Sequence, residues 1–171
     1  KDTFTELGVD AVVDGGQSMN PSAQDFIDAF SGIGADHILV FPNNGNIILT
    51  ANQAARMYTG ARIHVIETKT VGEGYAALSM LDTDGRTPEE IGAELKEIID
   101  ATVTGFICCA SRDSDSFGIS VKKGSFIGFT GDVLKVTGAT REEAALAEAA
   151  AAADVLPRDG CRLGRARALE H

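Results

Sequence analysis

Before residue 82, three short apolar runs alternate with three stretches of helical spacing, and this constrains the fold more than any other property. The runs are 9–14, 37–41 and 62–66; the helical stretches are 22–31, 47–58 and 75–81. Ile47, Ile48, Ala51, Ala54, Ala55 and Tyr58 recur at helical spacing, and Gly60 is placed to end that helix. His37-Ile38-Leu39-Val40-Phe41 is nearly continuous in apolar character, as strands buried on both faces are. Strands joined through single helices imply a parallel sheet with right-handed connections. The class expected is α/β: a three-layer open parallel sheet of β-α repeats.

Its three strand-to-helix loops then gather at the carboxyl ends of the strands, where open α/β sheets bind ligands. Loop one brings Gly15, Gly16, Gln17, Ser18, Asn20 and Ser22. Loop two brings Asn43, Asn44 and Asn46, and loop three Thr68, Lys69 and Thr70. In loop one the glycines let the backbone turn and approach a ligand closely. Asn20 or Ser22 can cap the helix, with Pro21 suited to its first position. Free N–H groups at such a helix start suit an anion or polar ligand. A well-made turn and cap explains the same residues, and spacing leaves both readings open.

The rest of the chain changes character. Thr87-Pro88-Glu89-Glu90 opens a helix to about residue 102, with a capping box and the stripe Ile91, Leu95, Ile98, Ile99. Residues 106–110, 117–121, 126–129 and 133–136 read as short antiparallel strands, and 112–116 as a turn or loop. Residues 139–153 read as an alanine- and glutamate-rich helix capped by Thr140 and Glu143. The expected organisation is an α/β domain over 1–104, a small antiparallel β appendage over 105–138, a helix over 139–153, and a disordered or vector-derived tail over 154–171. Leu169-Glu170-His171 reads as the start of a vector-encoded tag, and a first residue other than Met suggests a piece of a longer chain.

Charge narrows the function classes. Before residue 158 there are 11 Lys and Arg against 23 Asp and Glu, a net of −12. Such a surface repels nucleic acid and anionic membrane, and suits a partner with a basic patch. No apolar run is long enough to span a bilayer. Cys108 and Cys109 are neighbours on a strand, so they point to opposite faces and ligate one metal poorly. They are expected as buried small hydrophobes, in a reducing, cytoplasmic setting.

Catalytic signals are weak. No phosphate-binding or dinucleotide fingerprint and no nucleophile elbow is present. His37 and His64 stand in strands without metal-ligand spacing and read as core or surface residues. Asp82 with Asp84, and Asp113 with Asp115, read as turn formers. The loop edge offers amides, hydroxyls and one cation, Lys69, but no general base or activated nucleophile. It reads as a binding site, with no catalytic residue and no metal ligand.

Four stretches in order carry a family resemblance. They are 8–22, running from Gly8 through Gly15-Gly16-Gln17-Ser18-Met19-Asn20-Pro21-Ser22; Phe41-Pro42-Asn43-Asn44-Gly45-Asn46-Ile47-Ile48; Ile63-His64-Val65-Ile66-Glu67-Thr68-Lys69-Thr70; and 119–128, with Lys122-Lys123-Gly124. Over about residues 4–138 the chain resembles the C-terminal region of the fatty acid kinase A family, dihydroxyacetone-kinase-like bacterial proteins. The resemblance implies a parent that phosphorylates fatty acids held by a separate DegV-like fatty-acid-binding carrier. It implies ATP and Mg²⁺ in an N-terminal domain absent from this sequence, and no cofactor in this stretch. It implies docking of the carrier by this region, with a fold similar to the carrier's own first domain. A small carboxylate- or phosphate-binding domain and a homodimerisation module are the alternatives. Family members continue with further strands after the last helix, a pattern residues 154–171 lack.

Overall fold

The computed structural model describes residues 2–14, 20–116, 118–131 and 133–153. The expected tail therefore lies outside the described residues. The chain divides into two compact units, Lys1–Thr102 and Val103–His171.

The first unit runs α1 (Asp2–Glu6), α2 (Ala23–Ser31), β1 (His37–Val40), α3 (Gly45–Met57), β2 (Arg62–Val65), α4 (Val71–Ser79) and α5 (Pro88–Ala101). β1 and β2 pair in parallel, with Ile38 opposite Ile63 and Val40 opposite Val65. The two faces of this ladder feed different clusters. Ile38 and Val40 join Phe26 and Phe30 of α2 and Ala51 and Ala54 of α3. Leu39, with Phe41 just after the strand, packs against Ile66, Ala77 of α4, and Ile91 and Leu95 of α5. Burial on both sides is why the run 37–41 is apolar at nearly every position.

Caps set the helix starts. The Ser22 and Thr87 side chains accept from the N–H groups of Asp25 and Glu90, whose carboxylates accept from the Ser22 and Thr87 N–H groups. Both are capping boxes. α4 begins at Val71, earlier than its apolar spacing predicts, because the Thr70 hydroxyl caps it by accepting from Glu73 N–H. Gly72 and Gly74 obscure that first turn in the sequence.

Residues 9–14 form no strand, so the parallel ladder among the described residues has two strands rather than three. Val13 alone of this segment packs on the α2–α3 cluster, while Val12 is 38% exposed.

The second unit holds β3 (Gly105–Cys109), β4 (Ser114–Ser116), β5 (Ile119–Val121), β6 (Phe126–Thr130), β7 (Val133–Gly138) and α6 (Arg141–Ala153). β3, β6 and β7 form an antiparallel sheet in that order, with a register shift between Gly128 and Phe129. β4 and β5 form a hairpin where Ser114–Ser116 is expected as loop. The Asp113 carboxylate accepts from Lys123 N–H at 2.7 Å and ties its ends together.

α6 lies on β3, β6 and β7. Ala144 is fully buried and Glu148 is 4% exposed. The Thr130 hydroxyl donates to Glu148 Oε1, and Oε2 has no partner. Room for this carboxylate comes from glycines, since a Cβ at either Gly105 or Gly128 would come within 3.0 Å of the Glu148 side chain. Cys108 and Cys109 are both exposed, which corrects the expectation of buried thiols. β3 is an edge strand of its sheet, and only Ile107 of the strand is even half-buried.

Candidate functional site

The polar loops after β1 and β2 meet through one clamp. Asn43 takes a left-handed backbone, φ 58°, which asparagine tolerates better than most residues. Its N–H donates to the Thr68 hydroxyl oxygen at 2.9 Å. That hydroxyl donates back to Asn43 Oδ1 at 2.9 Å. Thr68 is fully buried, so both halves of its hydroxyl are satisfied inside the protein. Gly74, in the first turn of α4, is the third component. A Cβ there would sit 1.8 Å from Asn43 Oδ1.

The remaining loop residues serve their own helices. Asn44 caps α3, its side chain accepting from Asn46 N–H at 2.9 Å. Thr70 caps α4 and Ser22 caps α2. Lys69 N–H donates to the Glu73 carboxylate at 2.6 Å, while the Lys69 side chain is exposed. Asn20 and Asn46 are exposed as well. The structure thus brings Asn43, Asn44, Asn46, Thr68, Lys69 and Thr70 together across two adjacent loops. Gly15, Gly16, Gln17 and Ser18 lie outside the described residues.

Glu73 and Gly74 are the participants that sequence reasoning misses. Their signal is Gly72-Glu73-Gly74 directly after the Thr68-Lys69-Thr70 run, which marks a helix start packed close to a loop.

A cavity of about 700 Å³ runs from this edge along β1. Its walls include Val9, Val13, Phe26, Phe30, Leu39 and Phe41, with Asn20, Asn43 and Asn44 also lining it. His37 and His64 form a pair of their own, His37 Nδ1 lying 3.0 Å from His64 Nε2. Ring centroids 5.2 Å apart place the rings end to end, so one N–H points at the other nitrogen and one hydrogen bond satisfies both. Asp82 accepts from Asp84 N–H, as a turn former does. Among the described residues no three His, Cys, Asp or Glu side chains gather as metal ligands.

Hydrogen bonds tune the carboxylates near α2 and α5. The Ser22 N–H, then its hydroxyl, hold Asp25 below its ordinary value, and Thr87 does the same for Glu90. Neither carboxylate is poised as a base. Chemically the edge can present amide and hydroxyl contacts and one cation on a fixed frame.

Over residues 1–153 the chain matches the FakA-like C-terminal family of fatty acid kinases. The chain belongs to that family. Protein YloV of Bacillus subtilis (strain 168) is 38% identical over 127 residues, covering 74% of this chain and 23% of YloV. Uncharacterized proteins of Staphylococcus aureus strains USA300 and NCTC 8325 are each 32% identical over 129 residues, 75% of this chain and 23% of theirs. The chain thus spans less than a quarter of the length of these relatives. As a FakA-like C-terminal region, it contains the clamp residues Asn43, Thr68 and Gly74 within the matched stretch. No helix among the described residues is long and apolar enough to cross a membrane.

Proposed function

We propose that this chain is the partner-docking region of a fatty-acid-kinase-type protein. The observation that carries the reading is the way the loop edge uses its polar groups. Asn43 and Thr68 hold each other, and Ser22, Asn44 and Thr70 cap helices. Their side chains serve to hold shape, which suits a preformed recognition surface better than a reacting centre. Asn20, Asn46 and Lys69 remain outward as contacts. In this reading the partner is a DegV-like fatty-acid-binding carrier. Phosphate transfer from ATP with Mg²⁺ to the bound fatty acid belongs to a nucleotide-binding domain elsewhere in the parent, and the setting is the cytoplasm. A three-layer parallel sheet, akin to the carrier's first domain, belongs to the same reading.

Isothermal titration of the chain against that carrier, with and without acyl chain, tests the proposal. Saturable binding is expected, weakened by Lys69→Glu or Asn46→Ala. Absence of binding sinks the docking role. Binding indifferent to both substitutions removes the loop edge as its location. Saturable binding of acetate or inorganic phosphate at this edge would favour the small-anion alternative instead, and a concentration-dependent dimer the module alternative.

A further inference from the structure

The cavity beside β1 carries a second and independent inference. Arg62 N–H donates to the Asp36 carbonyl and Ile66 N–H to the Val40 carbonyl, both at 2.8 Å. Alternate residues of a strand address the same neighbour. Asp36, Ile38 and Val40 therefore direct their backbone groups at β2, and His37, Leu39 and Phe41 direct theirs to the open side. The cavity lies on that side, lined by residues 37–41 and, opposite, by residues 7–14. Among the described residues no backbone hydrogen bond joins residues 10–13 to β1.

An apolar guest such as an acyl chain would fill the walls of this space. It would leave the N–H and C=O groups of Leu39 and Phe41 without partners, which is unfavourable away from water. An extended peptide segment satisfies walls and backbone together. Residues 9–14 already flank the gap, and their run Val9-Asp10-Ala11-Val12-Val13-Asp14 has the β-branched content of a strand. They lead into α2, which packs on the Ile38–Val40 face before the chain enters β1. That is the order of a right-handed βαβ unit, so the added strand runs parallel to β1.

We propose that residues 10–14 are a strap that zips onto the open edge of β1 as a third parallel strand, their unpaired conformation beside the cavity being its open state. Closure fills the cavity and brings the carboxyl end of the strap to the edge that carries Asn43 and Asn44, because parallel strands end on one side. The strap couples sheet completion to the geometry of the loop edge.

Amide hydrogen exchange by NMR on the whole chain, at several protein concentrations, tests this. The Leu39 and Phe41 amides are expected to exchange at least about tenfold more slowly than unstructured ones. Proline substitution removes a donor, and alternate donors of an added strand face β1. One of Ala11→Pro and Val12→Pro should therefore reduce that protection about tenfold, and the other should reduce it far less. Unprotected Leu39 and Phe41 amides overturn the proposal, as does protection that neither proline changes. Protection that grows with protein concentration assigns the edge to a second copy and also overturns it. If a proline variant fails to fold, NOEs between residues 10–13 and 37–41 in the unaltered chain decide, and their absence overturns the strap.

Discussion

Thr68 occupies the least replaceable position of the loop edge. Its hydroxyl accepts from one group of Asn43 and donates to another while fully buried. Thr68→Val keeps the shape but leaves the Asn43 N–H and Oδ1 unpaired, an expected loss of about 1–3 kcal/mol in urea unfolding. Thr68→Ser should recover most of it. Gly74→Ala is a sharper case, because helix propensity alone predicts a gain of about 1 kcal/mol. The 1.8 Å approach to Asn43 Oδ1 outweighs that gain. A net loss of about 1–3 kcal/mol is expected from overpacking, measured by thermal unfolding. Asn43-Asn44-Gly45 announces a loop in the sequence, and Thr68 stands out as polar after an apolar run. Their mutual bond cannot be read there, since it depends on the parallel register that sets one loop beside the other. Cys108 and Cys109 mislead for a related reason. Their apolar neighbours suggest burial, but the edge position of β3 leaves both thiols exposed.

Among the elements, helices with explicit start signals are the most legible. The boxes Ser22–Asp25 and Thr87–Glu90 stand where the residue types place them. They also make acid sensitivity predictable. Asp25 and Glu90 are held below ordinary values of 3.8 and 4.5 by bonds from Ser22 and Thr87. A carboxyl lowered in the folded state contributes stability above its unfolded value, and loses it as the pH falls through the lowered one. Unfolding midpoints should therefore drop between about pH 5 and pH 3, and less so in a Ser22→Ala, Thr87→Ala double variant. α4 is less legible, because Gly72 and Gly74 conceal a first turn that Thr70 caps. In the second unit, an unpartnered carboxylate oxygen is what composition cannot foretell. Glu148 fits only because Gly105 and Gly128 leave space. Gly128→Ala would place a Cβ 2.7 Å from Val136 Cγ2 and 3.0 Å from Glu148 Oε2. An expected loss of about 1–3 kcal/mol is checked by chemical denaturation. The run 9–14 has the composition of a strand without its pairing, since pairing depends on which partner holds the edge of β1.

At the scale of the whole molecule, the helix–strand alternation and four ordered stretches suffice to place the chain in its family, while the partner of its loop edge is a matter for measurement. A net charge of −12 before residue 158 makes salt the simplest probe. If the docking partner meets this surface with a basic patch, raising salt from about 0.05 M to 0.5 M shortens the screening length severalfold. Weaker binding in the same titration is then expected, and salt-independent affinity would point to a mainly apolar contact.

The Asn43–Thr68 bond pair also sets the thermodynamic character of any encounter at this edge. Two loops that are tied together before contact need no further ordering on contact. Recognition there should proceed with little loss of backbone freedom and a heat-capacity change no larger than the buried apolar area requires. A chain in which Thr68 is Val would have to organise the same loops as it binds, and its association would carry an added entropic penalty while the outward-facing residues stayed the same.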